Sequence, residues 1–76
     1  MQTYKNLGGN SSVTGYEPIP GGIHVQFKHS AVYEYRAENL GDEVIRQMVA
    51  LAERGQGLCS YINRTPSVYR GGHRVI

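Results

Sequence analysis

At 76 residues the chain has room for one domain and no second, and a domain of that size buries only about 60% of the surface its unfolded chain exposes. Apolar residues at 39% and charged ones at 18% exclude a disordered composition, and no apolar run approaches the roughly 20 residues that cross a bilayer. The net charge of +2 is unevenly spread: residues 1–53 carry four cations against six acids, whereas residues 54–76 carry Arg54, Arg64, Arg70 and Arg74 and no acid. That split points to an anionic partner for the C-terminal end.

The one cysteine, Cys59, leaves no intrachain disulfide and fits a reducing, cytoplasmic setting. With one Lys and no apolar stretch after it, the N-terminus does not read as a secretion leader. Residues 1–11 are polar and Gly-rich without periodicity, and are expected to be a flexible lead-in.

A first strand is expected over Val13–Ile19, where Gly15 and Pro18 suit a short edge strand. Pro20-Gly21-Gly22 is a turn, since Pro presets φ and Gly accepts the positive φ that follows. The second strand is the clearest: Ile23, Val25 and Phe27 alternate with His24, Gln26 and Lys28. Lys28-His29-Ser30 connects it to a third strand over residues 31–36. There Tyr33 and Tyr35 share one face, and Val32, Glu34 and Arg36 the other.

A helix follows. Asp42 suits its N-cap or first turn. Val44, Ile45, Met48, Leu51 and Ala52 make its apolar face, and Gly55 is a natural stop after Arg54. Residues 57–63 have room for a second short helical turn, closed by Thr65-Pro66. The expected fold is α+β: a three-stranded antiparallel meander covered by one helix on the face of Ile23, Val25 and Phe27.

Ser11-Ser12 with Gly15-Tyr16, then Ile23-x-Val25-x-Phe27, then Val32-Tyr33-Glu34-Tyr35, then Ala52 and Gly55, then Tyr61-Ile62-Asn63 resemble the KTSC domain. This is a small bacterial domain also found at the C-terminus of some lysyl-tRNA synthetases. The resemblance runs from residue 11 to residue 69 and centres on the Tyr-x-Tyr pair. The chain departs from the pattern at Ser30-Ala31, at Asn39-Leu40-Gly41 and in a longer stretch over residues 56–60. The resemblance implies a KTSC-like domain over residues 12–69, followed by a basic tail over residues 70–76. Association of the family with a tRNA synthetase implies RNA binding, to tRNA or single-stranded RNA.

Among the residues themselves, Tyr33 and Tyr35 would stack bases if exposed, or close the core if buried. Arg54, Arg64, Arg70 and Arg74, interleaved with Tyr61 and Tyr69, suit phosphate contacts and stacking. Arg70-Gly71-Gly72 is reminiscent of disordered RNA-binding segments, while a solubilising tail is the plain alternative. His24, His29 and His73 are scattered and none is tied to Cys59 by spacing, so neither a thiol nucleophile nor a zinc site is expected. Asp42-Glu43 reads as helix capping rather than acid–base chemistry. The chain is therefore expected to be a non-catalytic binding module without cofactor or metal, taking RNA or another nucleic acid. The alternative is a protein-interaction module, as a homodimer or with another protein, using an exposed sheet edge.

Overall fold

The computed structural model describes residues 1–9 and 11–76. The strands are β1 (Gln2–Thr3), β2 (Val13–Ile19), β3 (Gly22–Phe27), β4 (Val32–Arg36) and β5 (His73–Arg74); the helices are α1 (Ala37–Leu40), α2 (Asp42–Arg54), α3 (Leu58–Arg64) and α4 (Pro66–Gly71). The strands form one antiparallel sheet in the order β1-β2-β3-β4-β5, so the α+β class stands.

The central hairpins form for the expected reasons. Pro20-Gly21 joins Ile19 to Gly22, with Gly21 at φ 74°. Lys28–Ser30 makes a single tight turn that the Phe27 N–H closes by donating to the Ala31 carbonyl at 2.8 Å. The register pairs Tyr16 with Val25 and Val25 with Tyr33, then Ile23 with Tyr35, so these five side chains share one face.

Helix α2 spans the expected residues. Asp42 is its first helical residue rather than its cap, with Gly41 preceding it and no side-chain cap bond. Ile45, Met48 and Ala52 are buried and join Ile23, Val25, Tyr35, Leu58, Ile62 and Val68 in one core. Phe27 is half-buried at the margin of this face. Gly55 ends α2 in the left-handed region at φ 80°, where a side chain would be strained.

Both ends of the chain depart from expectation. Three strands and one helix become five and four among the described residues; α3 (Leu58–Arg64) stands where a second short helical turn is expected, and the other added elements lie mostly at the termini. Residues 2–7, expected as lead-in, are docked. Gln2–Thr3 pairs with Tyr16 and Gly15, so β2 is not the edge strand there. The Leu7 N–H donates to the Gly55 carbonyl at 2.7 Å. Tyr4 is buried, its hydroxyl accepting from the Leu58 N–H at 3.3 Å. Pro66, read as closing a helix, also opens one: it stands at the start of α4, where its missing N–H costs nothing.

Residues 70–76, expected as a tail, return to the sheet. Tyr33 pairs with Arg74 and Glu34 with His73. Beyond them the Val75 N–H donates to the Val32 carbonyl at 2.8 Å, and the Val32 N–H to the Ile76 carbonyl at 3.3 Å.

Candidate nucleic-acid interface

The tyrosine face turns out to be the helix side of the sheet. Tyr35 is 2% exposed, and the link between α4 and β5 crosses its ring. A β-carbon on Gly72 would lie 2.6 Å from Tyr35 Cε1, and one on Gly71 2.7 Å from Leu40 Cδ2. The Gly71-Gly72 step is therefore a close-packing device, not the mark of a disordered RNA-binding segment. Burial, with lesser contributions from Tyr33 and Cys59, pushes the Tyr35 phenol up to about 12. Tyr35 is thus a core residue and offers no ring for stacking.

Tyr33 is placed differently. It is half-buried, packed edge-on against Phe27 with ring centroids 5.6 Å apart, and its cross-strand neighbour on the same face is Arg74. On α4, two residues before the Gly-Gly link, Tyr69 is 55% exposed beside exposed Arg70. The α4–β5 segment therefore presents Tyr69, Arg70, His73 and Arg74 at the surface, with Tyr33 alongside on β4. Tyr61 is half-buried on α3 and lines a shallow groove with Glu43, Val44 and Gln47 of α2.

The arginines have a structural role as well. Arg54, Arg64 and Arg70 stand in the last turns of α2, α3 and α4, where a cation is favoured by the helix dipole. Arg64 Nε donates to the Ser60 carbonyl at 3.3 Å, and Arg74 Nε to the Ile76 carbonyl at 2.9 Å. Among the described residues, none of the four is in an ion pair with a carboxylate. All four side chains are exposed, and no side-chain carboxylate among the described residues offsets their charge. Arg54 and Arg64 close separate helices, whereas Arg70 and Arg74 share the α4–β5 segment.

The opposite face of the sheet is polar. Glu34, paired across the sheet with His24, accepts from His24 Nε2 at 2.9 Å and from Arg36 Nε at 2.5 Å. The His24 bond first, then the Arg36 bond, lowers the Glu34 pKa. The Cys59 thiol is half-buried, 3.2 Å from Ser12 Oγ and 3.6 Å from Asn63 Nδ2. These neighbours are a hydroxyl and an amide, not a base. Among the described residues no three His, Cys, Asp or Glu side chains converge as metal ligands, and no helix is long and apolar enough to cross a membrane.

The neighbourhood of Arg74 and Tyr33 was not legible in the sequence, because a two-residue strand has no periodicity to announce it. No family model, curated protein or solved structure matches the chain.

Proposed function

We propose that the chain is a small non-catalytic binding module that takes RNA on its C-terminal segment. The observation that carries this reading is the set of four arginines in residues 54–76, exposed and unpaired with any acid among the described residues. Uncompensated cations of this kind neutralise phosphates and release counterions, which is the main source of sequence-independent affinity for nucleic acid. The resemblance to the KTSC domain supports the same class of partner, in the cytoplasm.

With Tyr35 in the core, stacking falls to Tyr69 and to half-buried Tyr33 beside Arg74, with Tyr61 on a neighbouring helix. So few rings stack few bases, and the phosphate contacts dominate. Binding is then weakly selective in sequence. Fluorescence anisotropy with labelled tRNA and a labelled single-stranded RNA, at low salt, tests the reading. Arg64/Arg70/Arg74→Ala, folded by circular dichroism, should lose most of the binding to both. Wild-type protein that binds neither RNA, or a triple variant that binds as well as wild type, would refute it.

A further inference from the structure

Between the β2–β3 turn and α2 lies a groove of about 600 Å³. Ile19, Ile45 and Val49 line it, Ala50 stands at its side, and Asp42 and Glu53 sit on its rim. Arg46, at the same rim, is held by Glu43 at 3.3 Å. Asp42 and Glu53 have no cationic partner among the described residues. The groove is thus apolar at its floor and acidic at its edge, and its size lies within the range of ligand-binding clefts, roughly 300–1,000 Å³.

The chain carries the complementary shape and charge elsewhere. Val75 and Ile76 are 47% and 72% exposed, although both are tied to Val32 by backbone hydrogen bonds. Their side chains stand exposed on the segment that follows β5, directly after Arg74. Branched aliphatic side chains beside a cation match an apolar floor with a carboxylate rim. The wider charge distribution has the same sense, with an acid excess in residues 1–53 and only cations in residues 54–76. An ordered ridge also loses little conformational entropy on docking.

We propose that this groove receives the Arg74-Val75-Ile76 ridge of a second copy of the chain, Val75 and Ile76 against the floor and Arg74 towards Asp42 and Glu53. Groove and ridge are different patches, so each copy offers both halves of the contact. The contact goes beyond the RNA reading and stands without it, since only Arg74 is common to the two.

Sedimentation velocity over a micromolar-to-millimolar series, without RNA, tests the contact. The wild-type average mass should rise with concentration. Ala50→Lys fills the groove with a cation, and Ile76→Asp reverses the character of the ridge; both positions are exposed. Each alone should weaken association by about tenfold or more, as expected for losing one buried aliphatic contact. Mixed together they should restore a pair, because one variant keeps its ridge and the other its groove. If Ala50→Lys loses its circular dichroism spectrum, Glu53→Lys replaces it as the groove variant. A wild-type mass of one chain at millimolar concentration would overturn the proposal. So would variants that associate as the wild type does, or a mixture that stays at one chain.

Discussion

Replacing Gly72 by alanine would place a methyl carbon 2.6 Å from Tyr35 Cε1 and 2.9 Å from Cζ, about 1 Å inside the 3.5–4.0 Å at which carbon atoms rest. The backbone is not the obstacle, because φ −81° and ψ 143° at Gly72 suit any residue. Tyr35 is 2% exposed and has no solvent to swing into. Either the ring turns against the core, or the C-terminal strand lifts and loses the Val75–Val32 hydrogen bond. Overpacking of this kind costs about 1–3 kcal/mol, set against about 0.4–1 kcal/mol recovered by stiffening the unfolded chain. A net loss of about 1–2 kcal/mol lowers Tm by roughly 5–15 °C in a domain of this length. Gly8→Ala is the control, since nothing lies within 4 Å of its β-carbon and the change should stay within about 0.5 kcal/mol. Thermal and urea unfolding by circular dichroism would measure both. Equal stability in the two variants would refute the packing of the C-terminal segment on Tyr35 and return residues 70–76 to a free tail.

The N-terminal docking makes a similar claim: Tyr4→Ala should cost about 3–5 kcal/mol, as other buried aromatic truncations do, from a total of only about 4–11 kcal/mol. Urea unfolding would check it, and a flexible lead-in would show no loss. For Glu34 the folded pKa is depressed by His24 and Arg36. Its contribution is therefore present above the unfolded carboxylate value and lost as pH falls through the folded one. Glu34→Gln should flatten the acid limb of a stability–pH profile, and an unchanged limb would contradict the pairing. Tyr35 runs the other way: with its phenol raised to about 12 by burial, its contribution is intact below the unfolded value near 10 and falls as pH rises towards 12. Tyr35→Phe should remove that alkaline loss in a profile of unfolding against pH.

The central hairpins and α2 were legible because each rests on local signals that agree. Ile23, Val25 and Phe27 alternate, Pro20-Gly21 turns, and the apolar stripe of α2 ends at Gly55. The ends were not legible. Gln2–Thr3 and His73–Arg74 are held by the strands they meet, so nothing in their own two residues marks them. Pro66 carries two meanings, since the residue that stops one helix also suits the first position of the next. Gly71-Gly72 carries two as well, because flexibility and close approach both select glycine, and only the packing on Leu40 and the Tyr35 ring decides between them. Of the candidate site, the excess of arginine was visible in composition. The burial of Tyr35 depended on which sheet face the helices cover, and the meeting of Tyr33 with Arg74 on the return of β5.

RNA binding through the C-terminal arginines is tested most directly by the salt dependence of binding to tRNA. Four phosphate contacts give a slope of about −3 in log K against log salt, at 0.7–0.9 per contact. Arg64/Arg70/Arg74→Ala, with Arg54 left, should reduce the slope to about −1. A wild-type slope near zero, or a triple variant with the wild-type slope, would contradict it.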